Sequence, residues 1–360
     1  MLIKIYMMFR DFFPGDGIPK LIHTNALKRV AATIFGLALL LSGCAADASP
    51  TAVPPTATPA PTPTATAVPP TPFRIIGYVT DAVTVELVPF DKLTHINYAF
   101  AIPNEDGTLK PMANGWKIDN LVEQAHANNV QVLISVGGWG WDETFETLAA
   151  DPTARDRLVQ ELVALVEKHN LDGVDMDWEY PDPVSMSPDS AQNYARLMQA
   201  LGTEMRARGK LLTAAVVALG EYGEGVDTAV FNEVDFLNLM VYDRGGEEHH
   251  SSLEFAQESL AFWRERGLPQ EKMVLGVPFY GRPNYALYKE LVAADPAHAL
   301  TDEAEFNGQI EYYNGIPTMQ QKTRLALEQA SGIMIWTLEQ DTQDDTSLLQ
   351  AIYQTVHNSP

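Results

Sequence analysis

At 360 residues, 46% of them hydrophobic, the chain has room for one large domain and short appendages. Acidic side chains outnumber basic ones 47 to 24, a formal charge of −23 that repels nucleic acid and anionic lipid, so neither is an expected partner. Cys44 is the only cysteine, so no internal disulfide is available and the fold must hold by core packing.

The first 44 residues read as a segment separate from that domain. Lys28 and Arg29 precede an apolar run over 30–41, followed by Ser42, Gly43 and Cys44. About a dozen apolar residues are too few for a permanent membrane span, but they suit the core of a secretory signal. The small residues before Cys44 resemble a lipobox, whose cysteine is lipidated and becomes the mature N-terminus. An ordinary secretory signal with a chance cysteine is the alternative. Residues 45–72 form a linker, with a Pro/Thr/Ala tract from Ser49 to Pro72 that has no apolar periodicity. Such a tract favours extended polyproline II and reaches up to about 75 Å at ~3.1 Å per residue. The expected arrangement is a domain on a stalk at the outer face of a bacterial envelope, held to the membrane only by an N-terminal lipid. Secretion is the alternative location.

From 73 to 360, β-rich runs at 75–80, 94–100, 131–136, 173–177, 211–217, 235–241, 273–278 and 332–337 alternate with amphipathic segments. Helices are expected at 118–129, 154–169, 190–208, 252–266, 320–329 and 347–355. Eight strands with interleaved helices predict an α/β fold, a (β/α)₈ TIM barrel, because parallel strands need crossovers of this length. The alternative, an open doubly wound sheet, is weakened because no glycine-rich phosphate fingerprint follows the first strand. In a barrel the chemistry gathers at the C-terminal strand ends.

The fourth run carries the densest chemistry. Residues 171–181 hold Asp172, Asp175, Asp177 and Glu179 and close on Tyr180 and Pro181. On a strand, 175, 177 and 179 share one face while Val174, Met176 and Trp178 share the other. Alternate residues lie roughly 6.6 Å apart, so three acids fall within range of one another's charge. Once enclosed they cannot all ionise cheaply, and a proton is retained among them. A solvated acidic strand is the bland alternative, but its other face is apolar. A calcium site is the other alternative, but the glycine and late bidentate glutamate of a calcium loop are missing.

This D-x-x-D-x-D-x-E spacing resembles the signature of glycoside hydrolase family 18, the chitinase-like enzymes. Other runs resemble the same family. Ser135 to Gly138 is similar to its S-x-G-G framework, and Met240 to Asp243 to its M-x-Y-D segment. Gly276 to Arg282 is similar to G-x-P-x-Y-G-R, and Trp336 stands where the family floors the subsite of the reacting sugar. In one respect the chain departs from many relatives. Only about 50 residues separate Gly281 from Gly332, with no clear inserted domain, so the expected groove is shallow.

The resemblance implies hydrolysis of β-1,4-linked N-acetylglucosamine polymers, chitin or chito-oligosaccharides, by a monomer without cofactor or metal. It assigns the acid role to Glu179, with Asp175, Asp177 and Tyr242 as its catalytic partners. The attacking group would be the substrate's own acetamide, the assisted exception among glycosidases. Sugar contacts are expected from Tyr78, Phe100, Trp139, Tyr180, Met240, Asp243 and Trp336. It also implies non-proline cis peptides at Ala99–Phe100, Glu179–Tyr180 and Trp336–Thr337. Trp116, Trp141, Tyr222 and Tyr285 are further stacking candidates. His249 and His250 lack partners at ligand spacing and are expected at the surface. A peptidoglycan or N-glycan hydrolase and a non-catalytic sugar-binding protein are the competing readings. Glu179, which lectin-like relatives typically lose, argues against the last.

Overall fold

The computed structural model describes residues 73–245 and 248–358. The signal and linker readings over 1–72, Cys44 among them, lie outside the described residues. Among the described residues, ten strands and ten α-helices follow one another. They begin β1 (Arg74–Thr80), β2 (His95–Ala101), α1 (Gly115–Ala127), β3 (Gln131–Trp139), α2 (Asp142–Ala150), α3 (Pro152–Lys168), β4 (Gly173–Glu179) and α4 (Ser190–Ala207). Next come β5 (Leu211–Val217), α5 (Glu221–Glu224), α6 (Val230–Glu233), β6 (Phe236–Met240), α7 (Leu253–Glu265) and β7 (Met273–Pro278). The chain closes with α8 (Tyr288–Ala294), β8 (Glu303–Phe306), β9 (Gln309–Tyr312), α9 (Ile316–Gln329), β10 (Gly332–Trp336) and α10 (Leu348–Asn358).

Eight of the strands close a parallel barrel in the order β1-β10-β7-β6-β5-β4-β3-β2. This is the expected (β/α)₈ architecture. All eight predicted runs are strands, and β3 and β4 extend beyond their predicted ends to Trp139 and Glu179. Between β1 and β2 the crossover is made by two 3-10 turns, Val85–Leu87 and Phe90–Lys92, rather than by an α-helix.

Alternation sorts the strand side chains into two cores. Val174, Met176 and Trp178 of β4 belong to the outer core, where the strands meet the helices. Ile76 and Tyr78 of β1, Phe236 and Met240 of β6, and Met334 of β10 fill the barrel interior, with Phe100, Tyr180, Tyr242 and Trp336 packed against its top. Buried polar side chains, Ser135, Thr213 and Asn238, share this interior with the three acids of β4, which climb toward the mouth.

The segment between β7 and β10 is short, as expected, but not featureless. It folds α8 and an antiparallel hairpin, β8–β9, in which Glu303 pairs Tyr312 and Phe306 pairs Gln309. The hairpin is tied to the end of β7 by reciprocal backbone bonds between Arg282 and Tyr312, at 2.7 and 2.9 Å. Strands of four residues are too small to show as a domain in the sequence.

Candidate active site

Asp175 lies at the base of the site with no exposed surface. Its neighbours in register are Ser135 on β3 and Thr213 on β5. Both hydroxyls donate to it, Ser135 Oγ at 2.9 Å and Thr213 Oγ1 at 2.6 Å. Tyr78 donates from β1 at 2.5 Å and Asn238 from β6 at 3.1 Å. Burial pushes the Asp175 carboxyl up, while the four donors work to keep it ionised.

Asp177 is 2% exposed, and its Oδ1 is buried without a protein partner. Burial first, then the charges of Glu179 and Asp175, raise it well above the usual carboxylate range. Glu179, at the mouth, is pushed by burial from 4.5 to about 7, with a hydrogen bond from Tyr180 pulling the other way and Asp243 and Asp142 adding to the rise. The three acids thus stand in three environments on one strand. The lowest accepts four hydrogen bonds, the middle one has an unpartnered oxygen, and the uppermost holds its proton near neutral pH.

Two glycines make room for this. Gly137 sits in register with Asp177, and a Cβ there would lie 2.5 Å from the Asp177 carbonyl oxygen. At Gly138, with φ of +89°, a Cβ would press to 2.8 Å on the Phe100 ring. The framework reading of Ser135–Gly138 holds for the glycines, but Ser135 also acts through its side chain.

Aromatic rings line the opening. Trp336 lies 5.4 Å from Tyr78 and stacks on Phe100 at 5.7 Å between centroids. Its indole N–H donates to the Tyr285 hydroxyl at 3.0 Å. Trp139, 69% exposed and in register with Glu179, meets Tyr180 edge-on at 6.3 Å. Tyr180 in turn stacks on the exposed Tyr222 at 5.3 Å. Trp116 is also exposed, whereas Trp141 is half-buried beneath the ammonium of Lys110. The expected cis peptides at Ala99–Phe100, Glu179–Tyr180 and Trp336–Thr337 are all present.

Tyr242 leaves the end of β6 half-buried and meets Tyr280 edge-on at 6.3 Å. Burial, then the charges of Asp177 and Glu179, hold its hydroxyl protonated well above the ordinary range. Asp243 follows at φ +60° and accepts Arg282 Nε at 2.7 Å. Burial works to raise its carboxyl, but His250 and Arg282 outweigh it, leaving Asp243 well below the usual range.

All eleven residues expected in the barrel site therefore gather at one mouth, but not all are open to it. Tyr78 is 1% exposed with its hydroxyl committed to Asp175, and Met240 is 7% exposed within the interior core. The expectation of a surface position holds for His249 and fails for His250. His250 is 2% exposed, packs on the Tyr280 ring at 5.3 Å and lies 3.4 Å from Asp243. The loop folds back over β6, which adjacency in sequence does not reveal. Thr213 also escaped the sequence reading. Its inward position follows from alternation, but its place beside Asp175 depends on strand register. Among the described residues no cluster of histidines, cysteines or carboxylates is arranged to hold a metal ion.

Known proteins are similar to this chain in fold and in sequence. The chitinase ChiB of Flavobacterium johnsoniae superposes with a TM-score of 0.70 and 32% identity, over 79% of this chain and 94% of that one. A chitinase from Bacteroides thetaiotaomicron gives 0.70 and 28%, over 79% and 96%. Chitinase A1 of Niallia circulans is 32% identical over 206 residues, 48% of this chain and 29% of that protein. Probable chitinase 2 of Drosophila melanogaster is 27% identical over 288 residues, 72% of this chain and 57% of that protein. The chain thus spans well under two thirds of these two curated relatives. The family model of Glycosyl hydrolases family 18 matches residues 74–341, from the first residue of β1 to beyond the last barrel strand, and the chain belongs to that family.

Proposed function

We propose that the barrel hydrolyses β-1,4-linked N-acetylglucosamine polymers, chitin or chito-oligosaccharides, with retention of configuration and with the substrate's acetamide as nucleophile. The observation that carries this reading is the gradient along β4. A proton-holding Glu179 stands at the mouth above an Asp177 that has an unpartnered buried oxygen.

In the first step Glu179 gives its proton to the glycosidic oxygen as the bond to C1 breaks. The acetamide oxygen bonds to C1 from the opposite side, forming an oxazolinium ring. Asp177 accepts the acetamide N–H, Tyr242 donates to the acetamide oxygen, and Trp336 packs beneath the ring. In the second step water attacks C1, gives a proton to Glu179 and opens the oxazolinium, restoring acid and acetamide together. Asp175 remains below as the fixed negative charge that keeps a proton in the Asp177–Glu179 pair. Tyr78, committed to Asp175, supports the carboxylates, while Trp139, Tyr180, Phe100 and Asp243 serve sugar on either side.

The lipobox-like Cys44 and the stalk-like 45–72 tract support a lipid-anchored enzyme at the outer envelope face. Incubating the purified protein with chitin oligomers and, separately, with peptidoglycan tests the substrate. Reducing ends from chitin oligomers are expected; release from peptidoglycan alone would replace this reading.

A further inference from the structure

Lys322, on α9, has no exposed surface, and among the described residues no carboxylate lies within ion-pair distance of it. A buried ammonium is costly unless its protons are all used. Here they are. Nζ donates to the Ser251 carbonyl oxygen, to Ser251 Oγ and to Asn314 Oδ1, each at 2.6 Å. Asn314 is itself held, donating to the carbonyl oxygens of Ser251 and Tyr313 at 2.9 Å.

The arrangement fixes the direction of one hydroxyl. Burial lowers Lys322 to about 7, but the direction does not depend on its charge. The Val241 carbonyl oxygen can only accept, so it takes the Ser251 hydrogen and leaves Ser251 Oγ to accept from Lys322. Val241 immediately precedes Tyr242, and β6 has already ended at Met240. On the other side of Tyr242, the Asp243 N–H donates to His250 Nδ1 at 3.2 Å and the Arg244 N–H to the His250 carbonyl oxygen at 3.1 Å. The dipeptide 250–251 thus grips the backbone before and after Tyr242, and Lys322 holds the dipeptide.

We infer that Lys322, through Ser251, is a positioning residue for Tyr242, setting where its hydroxyl meets the reacting acetamide. This rests on the role proposed for Tyr242 above. A hydroxyl displaced by a fraction of an ångström still binds sugar but stabilises the charge that develops on the acetamide less well, so turnover falls while affinity changes little.

The test compares Lys322→Met, Ser251→Val, Ser251→Thr and Tyr242→Phe by kcat and KM on a chito-oligosaccharide, with thermal unfolding as the check on folding. Ser251→Val and Ser251→Thr have matching shapes in a site that is 1% exposed, so their difference isolates the hydroxyl. The expected result is a kcat loss of about 10- to 100-fold for Lys322→Met, with KM within about threefold. Ser251→Val should lie about tenfold below Ser251→Thr in kcat. The two losses should not multiply in the Lys322→Met, Ser251→Val double variant, because both act on one hydroxyl. If Lys322→Met fails to fold, the Ser251 pair carries the test alone. Equal kcat for Ser251→Val and Ser251→Thr, or wild-type kcat in folded Lys322→Met, overturns the inference. Wild-type kcat in Tyr242→Phe would instead overturn the role of Tyr242 itself.

Discussion

Asp175 and Asp177 lie two residues apart on one strand, yet Asp175 accepts four side-chain hydrogen bonds while Asp177 has an oxygen with none. Two chemically identical groups are thereby given different work. The lower one is held by donors from four other strands, and the upper one keeps a buried oxygen without a protein partner. Glu179, two residues further on, completes the series as the proposed proton donor.

Glu179→Gln keeps the shape and much of the hydrogen bonding of the mouth but removes the proton. Hydrolysis of chitin oligomers should fall by at least about 10³-fold while oligomer binding survives. Tryptophan fluorescence titration, with Trp139 and Trp336 in the site, would report the binding. A variant keeping more than a few per cent of the wild-type rate would remove Glu179 from the acid role.

The pH dependence follows from the same residue. With Glu179 raised from 4.5 to about 7, the acid form persists to neutral pH, and kcat/KM should drop about tenfold per unit above that point. The sign for stability runs the same way. Between the two values the folded state binds more protons than the unfolded chain, so this group's contribution to stability declines as pH rises through that window. Asp177→Asn removes a neighbouring charge, so the alkaline limb should move to lower pH. The maximal rate should fall by about 10²–10³ through loss of acetamide orientation. An unmoved limb would show that Asp177 and Glu179 titrate independently.

Gly138 separates strain from fit. Gly138→Ala places a methyl 2.8 Å from the Phe100 ring at φ +89°, whereas Gly267→Ala, at φ +92°, meets nothing within 4 Å. Each should cost about 1 kcal/mol or more in backbone strain, lowering Tm by roughly 2–4 °C. Only Gly138→Ala should also raise KM, because it shifts Phe100 against Trp336. Equal KM values would mean that this stack does not shape the sugar site.

Cys44→Ser tests the anchor, since it removes the only thiol that could be lipidated. The variant should leave the membrane fraction while its activity on soluble oligomers is unchanged. Continued membrane association would assign the anchoring to the apolar segment before Cys44.

Local pattern carried much of this structure into the sequence. Alternation on β4 is visible in residues 174–179, and each of the eight barrel strands reads as a short β-rich run because its period and flanks are local. Relations that depend on register or on a returning loop were not legible. Thr213 beside Asp175 is one, and the burial of His250 against Tyr280 is another. The buried Lys322 is a third. On a helix it reads as a solvated cation, and only the approach of Ser251 and Asn314 makes it interior. The hairpin β8–β9 failed to register for a different reason. Two four-residue strands with exposed faces, such as Ile310 at 44%, leave little apolar periodicity to read.

The most direct test of the assisted mechanism is the configuration of the first product. Two displacements at one carbon restore the starting geometry, so proton NMR of a fresh hydrolysate of a chitin oligomer should show the β-anomer before mutarotation. A glucose polymer, or chitosan deacetylated at the reacting sugar, should remain uncut because it lacks the nucleophile. An initial α-anomer would mean direct attack by water and would contradict the account, even with Glu179 still serving as the acid.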